Sequence, residues 1–221
     1  MGKTGESAIK LVHLHFSIFM KKLLIATTNK GKLHELSGFL HDLPVELVSL
    51  SDVGIDQDVE EDGKTYQENA EKKAKFYCQL SGLPTIADDG GLEIAALNNE
   101  PGIHSRRWLG YAATDQELIE HMMKVAKELP NDNRKARFVT VDCLALPTGE
   151  VYSEEGSVDG IIAEKPLLNM LEGYPYRSFF YLPKLQKYYH ESELTKEEMK
   201  QYNHRYMAIQ KLKPVIREVL W

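Results

Sequence analysis

The chain has little of several things that would each have pointed to a function class. It has only two cysteines, Cys78 and Cys143, far apart and without metal-ligand spacing. That excludes a disulfide scaffold or a thiolate zinc site and fits a reducing, cytoplasmic setting with both thiols as small apolar fillers. Positive charge is not in excess: 27 basic against 33 acidic residues give a net charge of −6, so no global field draws in nucleic acid. No apolar run approaches the roughly 20 residues that span a bilayer, so no membrane partner is expected. Internal repeats, low-complexity stretches and clear linkers are missing as well. Residues 1–19 carry a weakly apolar run broken by His13 and His15 with no small-residue cleavage site after it, and read as an N-terminal extension ahead of Met20. Residues 20–221 read as a single domain, since 221 residues that are 43% hydrophobic can bury a full core.

What is present concentrates in two segments. Leu23 to Ile25 is a short apolar strand, and Ala26-Thr27-Thr28-Asn29-Lys30-Gly31-Lys32 follows it into a helical pattern. Free N–H groups at such a strand-to-helix junction favour an anion, and Lys30 and Lys32 add charge for a polyphosphate. Alone, the segment is an ordinary polar turn. The second segment, Ile86-Ala87-Asp88-Asp89-Gly90-Gly91-Leu92-Glu93, reads as a strand that ends at an acidic turn, where two glycines release the backbone. Neighbouring side chains of an extended chain point to opposite faces, so only one of Asp88 and Asp89 need face a metal. With Glu60 and Glu61 they form a carboxylate set able to hold a hard cation, since magnesium needs only one or two carboxylates beside phosphates and water.

Between these lie ordinary α/β signals. Leu33, Leu36, Phe39, Leu40 and Leu43 recur at helical spacing as far as Pro44, and Val45 to Leu50 reads as a strand. Thr65 and Glu68 form a capping box for a helix that runs to Ser81 and stops at Gly82, and Thr114 with Glu117 repeats it. Ala136 to Leu146 and Val151 to Ile162 read as a hairpin. The end, Lys196 to Val219, reads as a helix kinked or split at Pro214. The fold class is α/β with a mixed sheet.

In order and spacing these segments resemble the inosine/xanthosine triphosphate pyrophosphatase family. The likeness rests on Ala26 to Lys32, Glu60 to Ala70, Leu83 to Glu93, Pro101 to Arg106 and Asn203-His204-Arg205, and covers the chain from about Met20. It implies an elongated mixed β-sheet flanked by helices, with two lobes around a central cleft, usually as a homodimer. It also implies Mg²⁺-dependent hydrolysis of ITP, dITP or XTP to a nucleoside monophosphate and pyrophosphate. By position, Glu60 and Asp89 match the metal-binding carboxylates, and Asp89 also the base for the attacking water. Thr27, Asn29, Lys32 and Lys73 match the triphosphate contacts, Tyr174 the residue that stacks on the base, and His204 and Arg205 the readers of its 6-keto group.

The departures fall mainly in the base-recognition half. The usual Gly-Tyr-Asp-Pro corresponds to Pro175-Tyr176-Arg177-Ser178, which puts Arg177 where a carboxylate is expected. Met199 stands where a lysine is usual, Gly90 and Asn203 replace serines, and Thr28 replaces a glycine. Arg177 is therefore the residue expected to alter the range of bases accepted. Two other readings stay open at this point: the same chemistry on a different nucleotide, or a nucleotide-binding protein without catalysis.

Overall fold

The computed structural model describes residues 21–220. The extension expected at residues 1–19 lies outside them. Strand β1 (Lys22–Ile25), helix α1 (Lys30–Leu40) and strand β2 (Glu46–Ser49) form the first crossover unit, followed by helix α2 (Tyr66–Ser81) and strand β3 (Thr85–Ile94). β1 pairs in parallel with both β2 and β3, placing it between them. From β3 onward the sheet turns antiparallel through β5 (Lys135–Ala145), β6 (Val151–Ile162), β7 (Phe180–Leu182) and β8 (Lys187–Tyr188). The two-residue β4 (Glu100–Pro101) folds back on the end of β3. The result is an eight-stranded mixed sheet, with the β5–β6 hairpin where the sequence placed it.

Period-two alternation sorts the core onto two faces. Leu23, Ile25 and Ile86 pack against Leu36 and Leu40 of α1 and against Ile209, Leu212 and Ile216 from the C-terminal end. Leu24, Ala26 and Ala87 face the other way, against Ala70, Ala74 and Tyr77 of α2. A third cluster joins the far ends of β3, β5 and β6 to Leu118 and Met122 of helix α3 (Asp115–Glu128). Both cysteines are buried and unpaired. Thr65 caps α2 through the Glu68 N–H, and Gly82 closes it in the left-handed conformation at φ +67°.

Two expectations need correction. The pair Gly90-Gly91 does not make a turn. β3 runs unbroken through Asp88 and Asp89 to Ile94, and the glycines instead permit close approach. A Cβ at Gly90 would strike the Val139 carbonyl of β5, and one at Gly91 the Gly102 carbonyl and the Ser105 hydroxyl. The C-terminal helical region also breaks at Asn203 rather than at Pro214, giving helices α4 (Lys196–Tyr202) and α5 (His204–Leu220). Asn203 is extended (φ −91°, ψ 115°), and its Oδ1 accepts the Tyr206 N–H as a cap for α5. Pro214 continues the helix because Leu212 and Ile216, on either side of it, are anchored in the core.

Candidate active site

The site follows from where β1 stops. Its last partner on β3 is Ile86, and β4 takes up the same side of β3 only at Glu93. Between them Ala87 to Leu92 has no strand on that edge among the described residues. Into this gap opens a cavity of about 680 Å³, lined by Ala26 to Lys32, by Asp89 to Leu92 and by residues of α2, α5 and the segment before β7. It lies where a parallel strand gives way to a gap in the sheet, a recurrent place for ligands in α/β folds.

Adjacent aspartates serve opposite faces. Asp88 turns toward α1 and α5, where its Oδ2 meets Lys32 Nζ at 2.9 Å and Arg205 Nε at 3.0 Å. Burial opposes its ionisation, but Lys32, Arg205 and Lys73 outweigh that and hold the Asp88 carboxyl far below the usual range. Asp89 turns toward α2 and the cavity. Its Oδ2 accepts the Asn69 side-chain N–H at 3.0 Å, and its Oδ1 lies 3.8 Å from Lys73 Nζ. Burial raises the Asp89 carboxyl, with Lys73 and Lys32 pulling it partway back and Glu61 pushing it up.

Lys73 bridges the carboxylates, with its Nζ 3.0 Å from Glu61 Oε1. The structure places the two neighbouring acids of the loop differently. Glu60 is exposed and lies outside the cavity lining, whereas Glu61 is partly buried and lines it. The acidic loop has no regular period, so the sequence could not say which of two neighbours faces inward; Arg107, donating to the Glu61 carbonyl at 2.8 Å, pins that orientation.

The first loop is held by its own side chains. Asn29 Oδ1 accepts from the N–H groups of Gly31 and Lys32 as the cap of α1, and its Nδ2 donates to the Gly173 carbonyl at 3.3 Å. Thr27 Oγ1 accepts the Asn29 N–H. Both line the cavity, but their side chains shape the loop, leaving Lys32 and Lys73 as its ammonium groups beside the aspartates.

At the other end of the cavity Tyr174 lies over Gly31, where any side chain would meet its ring. The loop is fastened at Gly173 (φ +82°), whose N–H donates to Asp115 Oδ2 at 2.6 Å. Arg177 is buried, contrary to a solvent-facing loop residue, and its guanidinium sits 3.7 Å from the Tyr174 ring centroid and 4.8 Å from that of Tyr189. Its Nη2 donates to Glu35 Oε1 at 2.7 Å, an oxygen that also accepts from Asn203 Nδ2 at 2.9 Å, while Arg205 Nη1 approaches Glu35 Oε2 at 3.4 Å. Burial alone would raise the Glu35 carboxyl; the two guanidiniums reverse this and hold it down.

His204 stacks on Phe138 at 5.3 Å and pairs its Nδ1 with the Tyr189 hydroxyl at 3.2 Å. Burial and the neighbouring Arg205 and Arg177 push its pKa well below the ordinary value, which leaves a neutral imidazole. Gly156 of β6 lets the backbone of α5 sit directly on the sheet, and so sets where His204 and Arg205 stand. Met199 is partly buried against the apolar core and does not line the cavity.

Glu35, Asn69 and Asp142 were not singled out in the sequence. Glu35 carried one signal, a carboxylate one turn after Lys32 on a helix otherwise apolar on its inner face. Asp142 pairs with Asp88 across β3 and β5 and is fully buried with both carboxyl oxygens unpartnered.

The arrangement matches known proteins over most of its length. A dITP/XTP pyrophosphatase of Clostridium perfringens is 37% identical over 91% of this chain and 100% of its own. One from Thermus thermophilus is 41% identical over 86% of this chain and 89% of its own. The solved HAM1 protein of Coxiella burnetii superposes with a TM-score of 0.77 at 33% identity, covering 90% of this chain and all of that one. The sequence profile of the Ham1 family matches residues 23–215, and the chain belongs to that family.

Proposed function

We propose that the protein is a nucleoside triphosphate pyrophosphatase that hydrolyses non-standard purine nucleotides, dITP and XTP among them, to the monophosphate and pyrophosphate. The observation that carries the reading is a single cavity that joins Asp89, Glu61, Lys73 and Lys32 at one end to Tyr174, His204 and Arg205 at the other. The first group suits a polyphosphate under attack by water, the second an oxo-purine.

Among the described residues no three His, Cys, Asp or Glu side chains converge to hold a metal unaided. Two carboxylates beside substrate phosphates are what magnesium requires, and Glu61 with Asp89 supplies them. Bound there, the ion would neutralise charge on the phosphates and polarise them.

The chain's own groups do the rest. Asn69 fixes one oxygen of Asp89, so the other is aimed into the cavity to orient a water and accept its proton. Attack breaks the bond between the α and β phosphates, and Lys32 and Lys73 offset the charge of the departing pyrophosphate. Tyr174 offers its ring to the base. Arg205, with His204 beside it, offers N–H donors that an oxo group accepts and an exocyclic amine at that position does not.

The reading extends to a homodimer, which sedimentation would test, and to a cytoplasmic setting, supported by the two buried, unpaired thiols. Pyrophosphate release measured across standard and deaminated nucleoside triphosphates, with and without Mg²⁺, tests the activity. Magnesium-dependent release from XTP and dITP well above that from ATP and dGTP is expected. Release of orthophosphate instead, or equal rates on all bases, would contradict it.

A further inference from the structure

Lys32, Arg177 and Arg205 share just two carboxylates, Glu35 and Asp88, through a continuous chain of ion pairs. Lys32 belongs to the phosphate end of the cavity and offsets Asp88 there, so at the base end Arg177 and Arg205 face Glu35 as their shared carboxylate. The other groups that face Arg177 are aromatic or imidazole side chains. His204 is neutral, Tyr174 and Tyr189 are un-ionised phenols raised by burial, and His190 is lowered by burial.

Arg177 lines the cavity next to Tyr174, and one hydrogen bond from its side chain is described, to Glu35. A guanidinium carries five N–H donors, so most of its hydrogen-bonding capacity is still open to a ligand.

Resting on the pyrophosphatase reading, we propose that Arg177 is a specificity-determining residue that selects the xanthine base over hypoxanthine. Xanthine presents oxygens at C2 and C6 and loses a ring proton near neutral pH. Hypoxanthine has a single oxo group and stays neutral over the same range. A buried, unbalanced guanidinium favours the anionic, oxygen-rich base, because a unit charge in this setting acts in low dielectric.

The test compares kcat/KM for XTP and ITP from mildly acidic to mildly alkaline pH. Changes in the enzyme or in the phosphates act on both substrates and cancel in the ratio, leaving the ionisation of the base. In the wild type the XTP-to-ITP ratio should climb as xanthine ionises. In Arg177→Gln, which keeps size and loses charge, the climb should vanish and the ratio at neutral pH should fall by about tenfold or more, while Arg177→Lys should retain part of it. A ratio independent of pH in the wild type, or one unchanged in Arg177→Gln, would overturn the proposal. If Arg177→Gln does not fold, Arg177→Lys decides in its place, and a climb in the ratio identical to that of the wild type would overturn the proposal. Absence of pyrophosphate release from either nucleotide would instead refute the activity itself, so the two failures are distinguishable.

Discussion

Gly156→Ala is a one-methyl test of how β6 positions α5. A Cβ at Gly156 would run into the His204 carbonyl and lie 2.8 Å from the Ala208 nitrogen. Both are backbone atoms of a helix held by Ile209, Leu212 and Ile216 in the core, so neither can swing aside as a flexible side chain would. Forcing an extra methyl into such a contact costs about 1–3 kcal/mol, read as a lower urea midpoint with unchanged slope. The first turn of α5, carrying His204 and Arg205, has to lift from the sheet. A displacement on the order of 1 Å in a positioning group costs about 10²-fold in rate. The expected result is a kcat/KM for XTP reduced by about 10–10²-fold. Affinity for inorganic pyrophosphate should change much less, because Lys73 and the loop from Thr27 are not carried by α5. Wild-type stability together with wild-type kcat/KM would refute the argument that this contact sets the position of the base readers.

Two further outcomes follow from the buried charges. Glu35→Gln leaves Arg177 and Arg205 facing each other without their shared carboxylate, and should cost about 3–5 kcal/mol in urea unfolding, the scale of breaking a buried pair; a loss below about 1 kcal/mol, typical of exposed pairs, would contradict the network. Asp142 has a raised pKa when folded, so the native state retains a proton that the unfolded chain gives up near pH 4. Its contribution is fully present below that pH and declines as pH rises toward the folded value. Relative to Asp142→Asn, the wild type should therefore lose up to about 1.4 kcal/mol of stability per pH unit above that point. Parallel stability-versus-pH curves for the two proteins would show that Asp142 ionises normally.

Much of this architecture was legible because its signals are local. Thr65 and Gly82 mark the ends of α2, Thr114 opens α3, and the hairpin announces itself by two β-rich runs around a turn. The site was legible where strand periodicity decides: Asp88 and Asp89 had to face opposite ways, and they do. The misread points depend on distant partners. Gly90-Gly91 looks like a turn until β5 and the Gly102–Arg107 segment are seen pressing against it. Asn203 ends a helix because its side chain caps α5 and donates to Glu35, 168 residues away. Glu60 and Glu61 sit in an irregular loop where no period tells which faces the cavity, and Arg107, donating to the Glu61 carbonyl, turns Glu61 toward it. The roles of Glu35 and Asp142 are invisible without the groups opposite them.

The central claim, that Asp89 activates water for pyrophosphate release, is tested most directly by Asp89→Asn assayed on XTP at saturating Mg²⁺. The substitution keeps the size and the contact with Asn69 while removing the proton acceptor. Turnover should fall by at least about 10²–10⁴-fold, with XTP still bound and the unfolding transition intact. Near-wild-type turnover under those conditions would show that Asp89 is neither base nor essential ligand.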